Sequence, residues 1–366
     1  MIAFYFSKFY NMKKISYIPT SNYSKNIGYD LRNIILYSKL KKIKVHKFNI
    51  NQRYDYLVLP PTFDLSDFEW LKSRKEKIIF QLVDHYLSES FFSYKNYLRG
   101  LLKFLNRENK FIVFNYKKKL QEICRISHSV ICSSEEQKDK ILIYNKNVNI
   151  FFEGNFKNIK NFKKNFKKKK IFKIIWEGRC ENIPSLNVFN LAFKKLIKKN
   201  NIELHIISDF EINKISSIMN YQSLSEVKKI FKNEFSTNTT INESKVFFHQ
   251  WNLSFLEMLI TNSDLAIIPL RKNNNFESGK GNNKLLMFMR HKIPILTSEN
   301  RAYKNIFKNI NVDATCASTK EWINKVQGLI NSESLRKKFA IKGFKYAKKH
   351  FGEKEFIKQW DDLFKL

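Results

Sequence analysis

The sequence predicts an α/β protein of two domains, each built on a mostly parallel sheet that helices cover. Short apolar runs alternate with helical patterns along most of the chain, which is the element order of such sheets. The chain has 366 residues, enough for two domains of ordinary size. A lysine-rich segment, residues 156–170, interrupts the alternation and is typical of a linker. We therefore expect domains at residues 1–155 and 171–345, with a further helical segment at residues 346–366.

The first half carries six apolar runs that predict strands, and two periodic stretches between them predict helices. The predicted helices span residues 31–40 and 98–105. The predicted strands span residues 15–18, 43–48, 56–59, 78–83, 129–132 and 148–152.

The second half repeats the alternation. A helix is predicted at about residues 185–199, and helices continue from Thr319 onward. The polar region 210–244, with one helical stretch near residues 226–235, is expected to be a surface elaboration. The predicted strands span residues 172–176, 202–207, 246–248, 265–268 and 293–296.

The net charge of +34, from 67 basic and 33 acidic side chains, indicates an anionic partner such as nucleic acid, a phosphorylated substrate or an acidic membrane. Part of the excess reflects a sequence rich in Lys, Asn, Ile, Phe and Tyr, the residues of AT-rich codons. The basic residues are diffuse and form no aromatic–basic recognition motif, so we expect no nucleic-acid partner. We favour peripheral association with the anionic inner face of a membrane.

Several classes of protein are disfavoured. The four cysteines form no C-x-x-C pair, which argues against a structural zinc site or a disulfide framework and favours a cytoplasmic location. No run of 18 or more apolar residues occurs, and the apolar N-terminus ends at Lys8, so we expect neither a membrane span nor a signal peptide. Met12 is an alternative start. Without G-x-G-x-x-G, a P-loop or H-E-x-x-H, the chain predicts no cofactor and no metal.

The most informative stretch begins with the buried-strand run Leu265 to Ile268, which Pro269 ends. The loop that follows contains two glycines and Lys280, and it ends in Asn282-Asn283, good capping residues for the next helix. Lys284 lies in the first turn of that helix. Free backbone N–H groups, the positive end of the helix and two ammonium groups would converge there. Such a place suits a diphosphate.

This stretch resembles the donor-binding segment of nucleotide-sugar-dependent glycosyltransferases of the GT-B fold, of the retaining family-4 type. The shared order is SD-apolar-PL, then GK-x-x-x-KLL and P-I-L. The likeness extends upstream to Glu177-Gly178-Arg179 and downstream to Ser298, Tyr303 and Glu321-Trp322. It covers residues 171–366 well and the first half loosely.

The resemblance implies a GT-B-like fold, in which two Rossmann-like domains face a cleft with their parallel sheets and C-terminal helices return to the first domain. The first domain would hold the acceptor, and the second would bind a nucleotide-diphosphate sugar as donor substrate. It also implies retention of anomeric configuration and no bound metal.

The same resemblance supplies roles for residues of the second domain. Lys284, with Lys280, would stabilise the departing diphosphate, and the Gly178-Arg179 turn would border it. A lysine is common five residues after that arginine, but Pro184 stands there. The glutamate pair that many family members carry here is also missing, because Leu285 lies eight residues after Glu277, where the second glutamate would be. Glu277 would still meet the ribose or sugar hydroxyls. The predicted donor-binding set is completed by Gly279, Asn282, Asn283, Ser298 and Tyr303.

In the first half, Asp84 and His85 follow a predicted strand, where ligands of parallel sheets bind. They could position an acceptor hydroxyl or accept its proton, although such residues also commonly cap a following helix. Gly28 resembles the glycine loop that faces the donor phosphates. Trp251 and Tyr303 could pack on a base or sugar, although aromatic side chains are more often part of the core.

We therefore expect a glycosyltransferase that moves a sugar to a hydroxyl of a surface glycan or a lipid-linked acceptor. Three alternatives stay open: a nucleotide-sugar epimerase or hydrolase on the same fold, a basic protein that binds phosphates or nucleic acid, and a glycan-binding or scaffold protein that has lost turnover.

Overall fold

The computed structural model describes most of the chain: residues 13–19, 31–89, 94–154, 159, 161–167, 169–214, 219–232, 234, 245–272 and 274–366. The chain divides into two compact units. The first unit contains residues 1–154, 279–281 and 353–366, and the second contains residues 155–278 and 282–352. Gly28 lies outside the described residues, as does the alternative start at Met12.

Within its described part, the first unit contains a sheet of six parallel strands in the order β2-β1-β3-β4-β5-β6. The interior strands β3 and β5 are buried at every position, as expected for a parallel sheet that is covered on both faces. The strands are β1 (Ile15–Tyr17), β2 (Val45–Lys47), β3 (Tyr56–Leu59), β4 (Lys77–Gln81), β5 (Ser129–Cys132) and β6 (Val148–Ile150).

Among the residues described in this unit, five α-helices lie between the strands in the chain. Two of them have side-chain caps: Asn115 accepts from the N–H of Lys118, and Ser134 accepts from the N–H of Gln137, the usual way to satisfy a free N–H at a helix start. The helices are α1 (Arg32–Lys41), α2 (Phe68–Lys72), α3 (Tyr94–Leu105), α4 (Tyr116–Ile126) and α5 (Glu135–Ile141).

The second unit has its own sheet of six parallel strands among the residues described, in the order β11-β8-β7-β12-β13-β14. A separate antiparallel hairpin joins β9 to β10. The strands are β7 (Phe172–Glu177), β8 (Ile202–Ser208), β9 (Glu211–Lys214), β10 (Met219–Gln222), β11 (Val246–Gln250), β12 (Leu265–Ile268), β13 (Ile295–Ser298) and β14 (Thr315–Cys316).

The helices of the second unit connect these strands and then continue past the last of them. They are α6 (Asn187–Ile197), α7 (Ser223–Ile230), α8 (Leu253–Asn262), α9 (Asn275–Ser278), α10 (Asn283–Arg290), α11 (Arg301–Asn309), α12 (Thr319–Asn331) and α13 (Glu333–His350). None of the described helices in either unit combines the length and the apolar character needed to cross a bilayer.

One more helix, α14 (Glu353–Phe364), follows the second unit in the chain but belongs to the first. Its Trp360 ring stacks on Tyr37 with 5.7 Å between centroids, and its Asp361 accepts a 2.7 Å hydrogen bond from the Tyr37 hydroxyl. The Tyr56 hydroxyl donates to the carbonyl of Phe364. The predicted α/β class with two parallel sheets is therefore confirmed, and a C-terminal helix completes the core of the first unit.

Part of the segment predicted as a linker is packed within the second unit. The Lys163 side chain is only 2% exposed; its ammonium lies 3.2 Å from the Asp264 carboxylate and donates to the Ser263 carbonyl. The Phe166 carbonyl accepts from the buried guanidinium of Arg336. These residues are therefore held by buried polar contacts and not solvated along their length.

The region expected to be a surface elaboration contains regular structure. The β9–β10 hairpin precedes helix α7, which begins at Ser223, three residues before the predicted start. The hairpin could not be predicted from apolar alternation, because its sequences EINK and MNYQ are largely polar.

Two histidines of the second unit, His205 (buried) and His249 (half-buried), form a polar chain on neighbouring strands. His205 Nδ1 lies 3.0 Å from His249 Nε2, and His205 Nε2 lies 3.2 Å from a carboxylate oxygen of Glu203. Burial lowers the pKa of both rings, that of His249 to about 4. Burial also lowers the pKa of His85 to about 4, and that of His291.

We therefore expect the fold to lose stability as the pH falls from about 6.5 towards 4. The folded-state pKa values of these histidines lie below the unfolded value, so in that window the unfolded chain binds protons that the folded chain does not. The contribution of these neutral histidines to the free energy of unfolding is fully present above about pH 6.5. Unfolding midpoints should fall from pH 7.5 to pH 4.5. The slope of the midpoint against pH should be shallower for His249→Gln than for His350→Gln, the control at an exposed histidine. Equal slopes for the two variants would contradict this assignment.

Candidate functional site

The strand order of the second sheet creates a crevice between β7 and β12. From β7 the chain proceeds to β8 and β11 at one edge, and it then returns to β12, β13 and β14 on the other side. Ligands of open parallel sheets bind beyond the carboxyl ends of the strands at such a reversal. The segments that leave β7 and β12 at this point are the turn 177–179 and the loop before α10. Both were predicted to bind a donor.

Lys284, in the first turn of α10, contacts the turn that ends β7. Its ammonium donates to the Glu177 carbonyl, lies 3.5 Å from the Glu177 carboxylate and is 5.3 Å from the centroid of the Trp176 ring. The side chain is 24% exposed, so an incoming ligand can reach it. Two segments about a hundred residues apart therefore meet within the second unit.

Gly178 provides the space in which this contact forms. A Cβ atom at this position would lie 2.7 Å from the Trp176 indole and 2.9 Å from Lys284 Nζ, closer than real Cβ contacts allow. Its N–H donates to the Ile207 carbonyl, so the backbone cannot easily move away. A side chain at 178 would therefore displace the ammonium.

Arg179 extends from the same turn into solvent. Its side chain is 68% exposed, and its guanidinium is paired with Glu181 through contacts of 3.2 and 3.3 Å. Exposed pairs of this kind contribute about 1 kcal/mol or less. The guanidinium can therefore exchange Glu181 for a phosphate at little cost.

Glu277 is buried and braces the loop after β12. One carboxylate oxygen accepts from Arg271 Nε at 2.7 Å and lies 2.5 Å from Nη2, and the other accepts from the Arg271 N–H at 2.7 Å. Both oxygens are therefore engaged within the loop. A direct contact with ribose or sugar hydroxyls stays a prediction, and it would have to share these acceptors.

The residues around the start of α10 do not cap it as the sequence suggests. Asn282 occupies the N-cap position, but its side chain accepts no capping hydrogen bond. Its carbonyl accepts from the N–H of Leu286, and its buried Oδ1 has no partner in the part of the chain that the structure describes. Asn283 is the first residue of the helix. The start of α10 therefore contains a buried acceptor that no described residue satisfies.

Two other predicted donor-binding residues are buried. Ser298 ends β13, and its hydroxyl accepts from the N–H of Leu270, which ties the ends of β12 and β13 together. Tyr303 is 1% exposed and packs in the core. Its ring therefore presents no face to a base in this conformation. The Trp251 ring is accessible to a ligand, because it is 42% exposed and follows β11 at the carboxyl edge of the sheet.

The glycine loop, residues 279–281, is part of the first unit. The Ser134 hydroxyl donates to the Gly279 carbonyl at 2.8 Å. A Cβ atom on Gly279 would lie 1.4 Å from His85 Nδ1, and one on Gly281 would lie 2.5 Å from the Ser133 carbonyl oxygen. Only glycine fits at these two positions. Lys280 lies between them and is half-buried.

His85 and Asp84 follow β4 but differ in environment. His85 is 5% exposed, and its Nδ1 has no hydrogen-bond partner among the described residues. Burial and the nearby charge of Lys140 lower its pKa to about 4, so the ring is neutral at pH 7. Asp84 is exposed and accepts from the Tyr86 hydroxyl. The His85 side chain does not cap the short helical turn that follows, contrary to the alternative interpretation.

Sequence reasoning missed two contributions to the site. Trp176 forms the floor under Lys284, although its position one residue before the Glu-Gly-Arg turn could have indicated this. Phe210, which follows β8, is 48% exposed and stacks on Phe248 with 5.3 Å between centroids. Within the described residues, no group of His, Cys, Asp and Glu side chains is arranged to hold a metal ion.

No protein-family model matches this chain, and no curated protein matches its sequence significantly. Solved structures do match. HepE from Anabaena, in complex with UDP-glucose, is 11% identical over 97% of this chain and 100% of HepE, with a TM-score of 0.62. A trehalose-6-phosphate synthase studied for glycosyl transfer with retention is 12% identical over 92% of this chain and 77% of its own, with a TM-score of 0.54.

TarM is a third match, with 17% identity over 84% of this chain and a TM-score of 0.55. The match covers 54% of TarM, so this chain spans about half its length. A TarM mutant from S. aureus was solved with fondaparinux, alpha-GlcNAc-glycerol and UDP. At these identities the likeness establishes the fold alone. It is the GT-B fold, with the two parallel sheets described above.

Proposed function

We propose that this chain transfers a glycosyl group from a nucleotide-diphosphate sugar to an acceptor hydroxyl, with retention of configuration and without a bound metal. The observation that carries the proposal is the contact of Lys284 with the Glu177-Gly178 turn at the β7/β12 reversal. The structures of HepE with UDP-glucose and of TarM with UDP support a nucleotide-sugar donor. The synthase studied for glycosyl transfer with retention supports that stereochemistry.

The diphosphate would bind where cations and free N–H groups converge. Negative charge grows on the diphosphate as the glycosidic C–O bond breaks, and preorganised positive groups stabilise it. The Lys284 ammonium would exchange the Glu177 carbonyl for a phosphate oxygen. The positive end of α10 and the exposed Arg179 guanidinium would add to the same field. Lys280, Asn282 and the glycine loop complete this proposed donor set.

The acceptor side would be provided by the end of β4. A neutral His85 can accept a hydrogen bond from a hydroxyl, and the exposed Asp84 carboxylate can orient one. We infer that the acceptor is a surface glycan or its lipid-linked precursor. The charge of +34 then fits a protein that works at the anionic inner face of a membrane.

We expect a nucleotide sugar to raise the thermal unfolding midpoint. A ligand that binds only the folded form at a hundred times its Kd adds about 2.7 kcal/mol to the free energy of unfolding. The measurement is a thermal-shift screen with uridine, guanosine and cytidine diphosphate sugars, in which inorganic diphosphate and duplex DNA serve as controls. Stabilisation by DNA but by none of the sugars would favour the nucleic-acid alternative. A donor consumed equally with and without any acceptor would favour a hydrolase.

A further inference from the structure

The first unit exposes large apolar side chains on one helix and on the segment that follows it and packs against it. They belong to the outer face of helix α3 and to the extended segment that follows it, and Phe111 and Phe114 are 67% and 73% exposed. Single exposed apolar residues are ordinary, whereas contiguous ones mark a binding surface. The α3 surface, as we call it here, consists of Tyr97, Leu98, Leu101, Phe104, Leu105, Phe111, Ile112 and Phe114.

Helix α3 turns its apolar face outward because its inner face is used for a close backbone contact. A Cβ atom on Gly100 would lie 1.8 Å from the Val113 carbonyl oxygen, so the following segment packs directly on the helix backbone. Val113 itself is buried. The five exposed apolar residues of the helix follow the spacing of an amphipathic stripe. The stripe is therefore left to an external partner.

The extended segment is held in place by its backbone and not by its exposed aromatic rings. The N–H of Lys110 donates to Asp64 Oδ2 at 2.8 Å, and the N–H of Phe111 donates to the Ser66 hydroxyl at 3.2 Å. The Lys110 ammonium pairs with Asp67. Phe111 and Phe114 therefore project from a fixed base.

Charge identifies the partner. Residues 94–119 contain eight Lys or Arg and one Glu, and Arg107, Lys110 and Lys118 are exposed. A second copy of a chain with net charge +34 would be repelled by this region. A bilayer of anionic lipid is complementary to this surface, because its phosphates are negative and its interior is apolar.

We propose that the α3 surface docks this protein on an anionic phospholipid bilayer. Phe111, Phe114 and the α3 stripe enter the boundary between headgroups and acyl chains, while the basic residues contact lipid phosphates. Arg99 of α3 pairs with Glu89 and lies 4.7 Å from the centroid of the Tyr86 ring, whose hydroxyl donates to Asp84. Docking thus brings the Asp84-His85 strand end to the membrane, where a lipid-linked acceptor would be found. This consequence rests on the proposed function.

Vesicle flotation tests the docking. Wild-type protein is mixed with phosphatidylcholine vesicles, with or without about 30% phosphatidylglycerol. Phe111→Ser/Phe114→Ser should weaken binding to the anionic vesicles by about tenfold or more, because two aromatic side chains no longer leave water. The matched control, Ile50→Ser/Ile143→Ser, changes side chains of the same unit that are 65% and 71% exposed and should bind like wild type. Binding should also weaken as salt rises past about 0.3 M.

A single-site probe tests the depth of insertion without changing the apolar stripe. All four native cysteines are buried, so a cysteine introduced at an exposed position can be labelled selectively with a polarity-sensitive dye. A label on Phe114→Cys should shift to the blue on anionic vesicles, and one on Ile143→Cys should not.

Three results would overturn the proposal: equal binding of wild type and Phe111→Ser/Phe114→Ser, equal binding to neutral and anionic vesicles, or a wild-type dimer in sedimentation equilibrium that the double variant dissociates. Circular dichroism and the unfolding midpoint establish that each variant is folded. Thermal shifts with soluble nucleotide sugar should be the same for the double variant and wild type. A failure of docking is thereby separated from a failure of the donor site.

Discussion

Lys284→Ala should lower turnover about 100-fold or more without unfolding the protein, the usual scale for losing one group that stabilises charge in the transition state. The ammonium lies against the Gly178 turn at the β7/β12 reversal, and alanine there leaves the helix backbone intact. The free energy of unfolding should change little, because the side chain is partly exposed. The assay is sugar transfer from the nucleotide sugar that the thermal-shift screen identifies.

Lys304→Ala is the matched control for this prediction. Lys304 also lies in the first half of a helix of the second unit, and its ammonium pairs with Glu299 at an exposed site. Its loss should leave turnover within a factor of about two, as for most surface substitutions. Lys284→Ala activity within about threefold of wild type would remove Lys284 from the transition-state interactions.

Gly279→Ala should have the second large effect, on both stability and turnover. The added methyl group would lie 1.4 Å from His85 Nδ1, so either the imidazole or the loop must move. Such overpacking costs about 1–3 kcal/mol. The movement would also disturb the 2.8 Å hydrogen bond from Ser134 to the Gly279 carbonyl and displace the adjacent Lys280. Urea unfolding and sugar transfer measure the two effects.

Gly328→Ala provides the same substitution in open space. The nearest atom to its Cβ would be Leu335 Cδ2, at 3.7 Å, and Gly328 lies within α12. Alanine in a helix interior is about 0.5–1 kcal/mol more favourable than glycine, so this variant should be more stable and equally active. If Gly279→Ala behaves like Gly328→Ala, the crowding at His85 does not constrain the loop.

The strands were predictable where both faces of a sheet are covered. The apolar run Leu265–Ile268 is a strand at the predicted residues, because a fully buried strand needs no alternation. The polar β9–β10 hairpin has no such signal. For α3, the periodic pattern predicted a helix at residues 98–105 and the structure has one at Tyr94–Leu105. Periodicity shows which side chains share a face but not whether another element covers that face, so its exposure could not be foreseen.

The sequence singled out both segments that meet at Lys284, by local chemistry and by the family resemblance. The glycine-and-lysine loop before a helix identified Lys284, and the Glu-Gly-Arg turn identified its neighbour. The bracing of Glu277 by Arg271 and the burial of Tyr303 depend on how the loops pack. Tertiary packing of that kind leaves no pattern in a single sequence. The roles of the individual residues stay predictions that the variants above test.

The position of α14 also has a consequence for biosynthesis. Apart from residues 279–281, the second unit is one continuous stretch, so it can fold as soon as that stretch has left the ribosome. The first unit is translated earlier, yet the helix that covers Tyr37 and Tyr56 is translated after the whole second unit. N-terminal domains usually fold first during synthesis, whereas this first unit can complete its core only after the second unit has been translated. We therefore expect the Tyr37 and Tyr56 rings to stay uncovered on the nascent chain until α14 is translated.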